Sequence, residues 1–406
     1  MTRTPIAIIG RACVLPGANS PEALWQHIVE GRDLVGRAPA DRWGVGPEHI
    51  LCAAGEPAAD RTWSDRGGYV ENFDAVFDPG GFALPAHDIQ ALDPVFQWVL
   101  HTARQALRDA GHDAGNERVG AVFGNLSFPS AGMSRFAESL WRDDPALAPP
   151  PDPRNRFSSG LPALLLEDAL RLGAGAFALD AACASSLYAI KTACDWLRDG
   201  RADLMLAGAV NCADDLFIHV GFSALAALSK SGRSRPFHAA ADGLVPAEGA
   251  GFVALKRLAD AERDGDRILG VIRGVGLSND GRGRGFLVPA QEGQVRALRA
   301  AYADSGLSPA DISLLECHAT GTSVGDATEL ESLREVFGER AAPVPIGSLK
   351  SNLGHLITAA GVAGLIKVLE AMRTGLRPPT LHVDQPNPAL AGSPFRLLTA
   401  AEPWTV

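Results

Sequence analysis

The sequence predicts an α/β protein assembled from two similar halves. Two observations carry this. Short apolar runs alternate along the chain with longer helical stretches. Two of the helices are apolar around most of their circumference, which places them inside the fold rather than on its surface. Strands are expected over residues 6–9, 119–123, 176–179, 204–207, 251–255, 268–276, 312–316 and 344–346. Their alternation with helices predicts a largely parallel arrangement. The first buried helix is expected over 183–197, CASSLYAIKTACDWL, closing near Gly200. The second is expected over 356–372, LITAAGVAGLIKVLEAM, closing at Gly375. Gly361 and Gly364 each cost this helix about 1 kcal/mol relative to alanine. Close approach of a neighbouring layer is the expected compensation, with simple packing as the alternative. Each half then contributes one central helix. A Pro-rich stretch at 146–156 and a Gly-, Pro- and charge-rich stretch at 38–68 are expected to be irregular surface.

Composition narrows the function. A chain of 406 residues, 46% of them hydrophobic, can bury a substantial core. A net formal charge of −10 provides no electrostatic footprint for nucleic acid. Cys13, Cys52, Cys183, Cys194, Cys212 and Cys317 form no CxxC pair, which suits a reducing compartment. No apolar run approaches the ~18 residues of a membrane span. The N-terminus turns polar at Arg11 and lacks the long apolar stretch of a signal peptide. A soluble cytoplasmic protein without nucleic-acid or membrane partners is expected.

Three stretches carry chemistry. In FALDAACASSL a strand ends near Asp180 and a helix begins near Cys183. A thiol there faces the positive end of the helix dipole, which favours the thiolate and lowers its pKa. A strand–turn–helix junction also exposes the sulfur at the strand ends. A buried structural cysteine is the alternative, and it is the reading given to the other five. In LECHATGTSVGDATE, His318 stands where a strand gives out, either as a structural residue or projecting into a cleft; Asp326 heads the next helix, a position suited to a cap. In IGSLKSNLGH, His355 stands at the start of the second buried helix, where the dipole disfavours an imidazolium. A neutral ring can donate Nε2–H to a carbonyl. Lys350 lies close enough upstream to share the cavity. One cysteine and two histidines at strand-to-helix junctions form a coherent set, because ligands of α/β folds bind beyond the carboxyl ends of strands. Separations of 135 and 37 residues leave no short-range metal pair, so zinc is not expected. GRGRG at 281–285 lacks a following Lys-Ser/Thr and is expected as a flexible basic loop. KSGRSR at 230–235 is expected as a solvated basic loop.

Taken together, DAACASSL, ECHATGTSVGDATE and GSLKSNLGHLITAAGVAGLIK resemble the nucleophile motif and the two histidine motifs of the ketosynthase (beta-ketoacyl synthase) family of the thiolase superfamily. IAIIGRACVLPGANSPEALWQHIVEGRD, LDPVFQWVLHTARQALRDAG and SRPFHAAADGLVPAEGAGFVALKRL extend the resemblance over nearly the whole chain. It implies a thiolase-like five-layer αβαβα sandwich, with residues 1–260 carrying the nucleophile and 261–406 carrying both histidines, usually as a homodimer. It implies that Cys183 takes up an acyl group from an acyl carrier protein. His318 and His355 would then hydrogen-bond the carbonyl of a malonyl thioester and stabilise the enolate left by decarboxylation. Lys350 would tune or orient the histidines, and Asp326 and Glu329 would brace their loops. No cofactor or metal is implied, because the phosphopantetheine belongs to the carrier protein. ECHATGT, GNLSFPS and SNDGRGRG are more similar to iterative polyketide or polyunsaturated-fatty-acid synthases than to modular type I assembly lines. Two departures stand out. The chain ends at Glu402-Pro-Trp-Thr-Val406, before the family's Gly-rich Phe-Gly segment, so the C-terminal closing strands are expected to be missing. VFQ follows Pro94 where a more polar, Arg-containing stretch is expected. The competing readings are condensation on coenzyme A, a cysteine-dependent hydrolase, and a non-catalytic partner or scaffold subunit; an intact Cys183, His318 and His355 argue against the last. Lys230, Arg233 and Arg235 are expected to dock the acidic carrier.

Overall fold

The computed structural model describes residues 4–39, 42–56, 58–112, 118–148, 150–282, 288–340 and 342–405. Its larger sheet has six strands: β1 (Ile6–Val14), β2 (Val119–Asn125), β3 (Ala176–Leu179), β4 (Leu204–Asn211), β5 (Gly249–Arg257) and β6 (Gly270–Ile272), in the order β3-β2-β4-β5-β1-β6. The expected parallel arrangement holds only for β3, β2 and β4. β5 runs antiparallel to β4 and to β1, and β6 antiparallel to β1. The sheet is mixed because a long excursion between β4 and β5 reverses the chain. Strand β6, beyond the division expected at 260, still belongs to this sheet.

Both faces of the larger sheet are covered, so β1, β2 and β4 are buried at every position and read as unbroken apolar runs. Adjacent residues serve opposite cores. Ile9, Phe123 and Phe252 pack on one side against Phe96, Val99 and Ala103 of α1 (Pro94–Asp109). Ile8, Val253 and Leu255 pack on the other against Ala189 and Ile190 of α2 (Ser185–Arg198). The unexpected VFQ belongs to α1. Val95 and Phe96 enter the core, while the Gln97 amide donates to the carbonyls of Ile89, Gln90 and Leu92.

The smaller sheet has three parallel strands, β7 (Leu315–Glu316), β8 (Val344–Gly347) and β9 (Phe395–Leu397), in the order β9-β8-β7. α3 (Ser323–Phe337) packs on it through Leu330, Leu333 and Phe337. α4 (Ala360–Thr374) lies beside α2 between the two sheets. The layers are therefore helix, sheet, central helices, sheet, helix. The strand expected over 268–276 is shorter because Gly274 and Gly276 lie flat against helix Gln291–Ser305, where a Cβ would meet the backbone at 2.6 and 2.0 Å. The stretch 146–156 runs into a short 3-10 turn, Pro153–Phe157. Residues 283–287, most of the expected GRGRG loop, lie outside the described residues. Among the described residues no helix is long and apolar enough to cross a membrane.

Candidate active site

β3 hands the chain to α2 through a tight turn. Asp180 accepts from the backbone N–H of Ala182 (2.9 Å) and of Ser127 (3.1 Å), fixing the strand end to the neighbouring loop. Ala182 adopts a left-handed conformation, φ +48°, and a single 3-10 turn, Ala182–Ala184, precedes the α-helix. Ser185 Oγ closes the turn, donating to Ala182 O (2.7 Å) and accepting from Ala181 N (2.8 Å). Cys183 stands at the middle of this turn as a half-buried residue.

His355 is positioned by a second strand-to-helix junction. After β8 come a short helix, Lys350–Leu353, and Gly354 at φ +83°, where a Cβ would meet Val245 O at 2.7 Å. Only glycine fits that approach. His355 then donates its N–H to Val245 O (2.7 Å) and accepts from Ala247 N (2.9 Å), a single bridge that pins the residue. Ile357 takes φ +49°, a 3-10 turn covers Ile357–Ala359, and α4 begins at Ala360. A β-branched residue in this region is strained by about 1–3 kcal/mol. Thr358 occupies the place that Cys183 holds in the first turn. Its hydroxyl is buried and donates to Val210 O of β4 at 2.6 Å.

His318 leaves the end of β7. Glu329 of α3 accepts from the backbone N–H of both His318 and Ala319, each at 2.7 Å. Asp326 accepts from Thr320 N (3.1 Å) and Gly321 N (3.3 Å), and from Phe237 N (2.7 Å) on a distant loop. It thus ties loops together rather than capping one helix end. Burial pushes the Asp326 carboxyl up to about 7 and also raises Glu329.

These three junctions meet. His355 Nε2 lies 3.0 Å from Cys183 Sγ, and the His318 and His355 rings meet edge to face with centroids 5.4 Å apart. The sulfur and a nitrogen of each ring all lie within 4.8 Å of one another. Cys183 and His318 border a cavity of about 310 Å³ whose wall includes Lys350, Leu187, Gly361 and Leu365, with His355 behind the sulfur. Burial holds both histidines below their ordinary values, His355 strongly and His318 down to about 3, with the Lys350 charge acting the same way. His318 is nonetheless solvent-accessible as a residue. Both rings are therefore neutral at physiological pH. Nδ1 of His355 has no hydrogen-bond partner among the described residues. A proton on Nδ1 would leave a buried donor orphaned, which favours the tautomer that donates from Nε2 toward the sulfur.

The Cys183 thiol departs from expectation. Burial pushes it up, and the opposing Lys350 charge does not reverse the shift. A thiolate in an apolar cleft loses hydration that the nearby positive charge does not replace. The sulfur and rings could also hold a thiophilic metal, since 135 and 37 residues of separation collapse to within 4.8 Å; the adjacent Lys350 charge opposes a divalent cation there.

Sequence reasoning assigned no role to Glu316 and Lys367. The fully buried Lys367 ammonium donates to Glu316 Oε2 (2.7 Å), and Glu316 Oε1 accepts from Leu349 N (2.6 Å). Glu316 also contributes to the field around Lys350, whose own pKa is lowered by burial. The only available signal was a charged residue two positions before His318 and a lysine in the middle of a largely apolar helix. Both glycines of that helix prove to be contact points. A Cβ at Gly361 would meet Ser186 Oγ at 2.7 Å, and one at Gly364 would meet Glu316 Cγ at 3.0 Å. Of the expected docking cations, Lys230 and Arg233 are exposed, whereas Arg235 turns back to Asp242 (3.4 Å).

The model of the beta-ketoacyl synthase N-terminal domain matches residues 3–261, and that of the C-terminal domain matches residues 269–384. The chain belongs to the beta-ketoacyl synthase family. Pikromycin polyketide synthase component PikAIII of Streptomyces venezuelae is 37% identical across 99% of this chain and 26% of that protein. Mycoketide-CoA synthase of Mycobacterium tuberculosis is 38% identical across 98% of this chain and 10% of that protein. The chain thus spans about a quarter or less of these curated relatives. Among solved structures, PfaC keto synthase–chain length factor superposes with a TM-score of 0.92 at 38% identity, covering 99% of this chain and 45% of that one. The oxazolomycin ketosynthase domain OzmH KS7 of Streptomyces albus gives 0.87 at 33% identity, covering 99% and 69%. The fold is thiolase-like, and the domain is of the acyl-transferring, condensing type.

Proposed function

We propose that this ketosynthase domain extends an acyl chain by decarboxylative Claisen condensation, with Cys183, His318 and His355 as its catalytic residues. The observation that carries the proposal is the convergence of one sulfur and two neutral imidazoles, from three separate junctions, within 4.8 Å. Cys183 Sγ attacks the acyl thioester; the carrier thiolate leaves and takes up the cysteine proton. A malonyl thioester then enters the cavity. Its carboxylate departs as carbon dioxide, and the electron pair left behind is held as an enolate. Nε2–H donors of neutral His318 and His355 suit that oxygen better than a general-acid imidazolium would, since they stabilise the charge without transferring a proton. The enolate carbon attacks the acyl carbonyl, the bond to sulfur breaks, and a 3-ketoacyl thioester two carbons longer is released.

Lys350 keeps a positive charge beside the thiol, while Glu329 and Asp326 hold the His318 loop. The reaction needs no cofactor of the domain's own; phosphopantetheine arrives on an acyl carrier protein, for which Lys230 and Arg233 form the docking surface. A cytoplasmic setting is supported by six free cysteines. A homodimer is supported by β3, an edge strand, and by the exposed Phe128–Phe217 pair. The curated relatives favour polyketide rather than fatty-acid elongation. Incubation with an acyl thioester and malonyl carrier protein tests the reading: release of carbon dioxide and a 3-ketoacyl product is expected, and a folded protein yielding neither would point to a non-catalytic partner subunit.

A further inference from the structure

Residues 229–247, late in the excursion between β4 and β5, lie in the part of the chain matched by the N-terminal domain. Many of their hydrogen bonds cross to the part matched by the C-terminal domain. Phe237 N–H donates to Asp326 (2.7 Å) and Gly243 N–H to Gly321 O (2.9 Å), which ties the segment to the His318 loop at two points. The Phe237 side chain is fully buried with Cys317 and Ala319, the two neighbours of His318. Val245 O and Ala247 N–H hold the backbone of His355. Ser234, only 1% exposed, donates from Oγ to Lys350 O at 2.5 Å. The tip of the same segment is basic and exposed at Lys230 and Arg233, and Arg233 directly precedes Ser234. Asp242 braces that tip, accepting from Ser229 Oγ (2.8 Å) and Ser231 N–H (2.8 Å) and pairing with Arg235 (3.4 Å). The two exposed cations therefore stand on a closed loop whose base is bonded to the loops of both histidines and to the Lys350 turn.

We infer that Ser234 is a positioning residue for carrier-borne substrates, the pin that holds the docking cations at a fixed place relative to Cys183 and the histidines. The inference rests on the carrier-docking reading above. A substrate on a carrier is constrained at both ends: the carrier's acidic surface sits on Lys230 and Arg233, and its thioester must reach the cavity. The effective concentration of that thioester depends on how well the arm's span matches the distance between dock and cavity. A reactant misplaced by about 1 Å can lose roughly 10²-fold. A small free thioester carries no such constraint. The Lys350 turn itself does not depend on Ser234 alone. Leu349 N–H donates to Glu316 (2.6 Å), Ser348 Oγ to Ala319 O (2.9 Å), and Gly354 N–H to Lys350 O (2.9 Å). Loss of the Ser234 hydroxyl therefore releases the docking loop from the turn and leaves the turn in place.

The test offers one substrate in two forms, malonyl on an acyl carrier protein and malonyl on N-acetylcysteamine, and reads carbon dioxide release. The parent is compared with Ser234→Ala and with Asp242→Ala. The second variant loosens the tip without touching the Lys350 turn, and guards against a poorly folded Ser234 variant. Both are expected to lower kcat/KM for the carrier-borne form about 5- to 20-fold, and to change that for the N-acetylcysteamine form by less than about twofold. A purely structural role for Ser234 would instead lower both forms together. Equal losses on the two forms, or no loss on either, in folded variants overturn the pin. A parent that handles the two forms equally well overturns the docking reading, and the pin with it.

Discussion

At Ala182 and again at Ile357 the backbone enters a left-handed conformation, closes one 3-10 turn and runs into a central helix. The two turns differ at the residue after the left-handed one. The first places Cys183 at the edge of a cavity; the second places Thr358 in a buried hydrogen bond to Val210 O. The first turn makes chemistry available, and the second holds a scaffold. The second also delivers His355, two residues before its left-handed position, to the sulfur of the first. A repeated structural unit thus carries the proposed nucleophile in one copy and, in the other, the frame that aims a histidine at its sulfur.

The sharpest way to break this division is to exchange the side chains. Cys183→Ala is expected to abolish the acyl adduct and lower condensation by more than ~10³-fold, measured by mass spectrometry and product formation. Adding Thr358→Cys to that variant should restore nothing, because the second turn faces β4; an adduct at residue 358 would refute the contrast. Thr358→Val comes next. It leaves the Val210 carbonyl without its side-chain donor, costing about 1–3 kcal/mol in denaturant unfolding. Condensation should slow about tenfold while acylation changes less, since His355 leads directly into this turn whereas Cys183 only packs against it. Equal losses in both steps would remove the second turn's special link to His355.

A smaller effect concerns charge. The Cys183 thiol is raised by burial and opposed first by Lys350. Its iodoacetamide rate should therefore still be climbing at pH 9. Lys350→Met removes the cation that favours the thiolate, so the profile should move to higher pH and the rate at pH 8 should fall several-fold. A profile moving down would contradict the assignment. Smallest of all, Lys230→Glu with Arg233→Glu should raise KM for carrier-borne substrate about 3- to 10-fold with little change in kcat. Arg235→Glu should instead disturb the loop through loss of Asp242.

How much of this was legible in the sequence varies by residue. Cys183, His318 and His355 were readable because each sits in a strand–turn–helix stretch, and Gly361 and Gly364 because glycine inside a helix calls for a close neighbour. The strand directions were not, since β5 pairs with β1 and β4 through a register that alternation cannot report. The doubled turn was hidden because its key conformations fall on Ala182 and Ile357, residues that carry no turn signal. The thiol's raised pKa and the Glu316–Lys367 pair depend on burial, which emerges only when distant segments pack. Arg235 looked like its neighbours until Asp242, brought round by the same loop, captured it.

Decarboxylation of a malonyl thioester, monitored as carbon dioxide release without any acyl donor, tests the central claim most directly. On the proposed role of the imidazoles in stabilising the enolate, Cys183→Ala should still release carbon dioxide, whereas His318→Ala and His355→Ala should each lose about 10²–10³-fold. Carbon dioxide release that persists undiminished in both histidine variants would contradict the account.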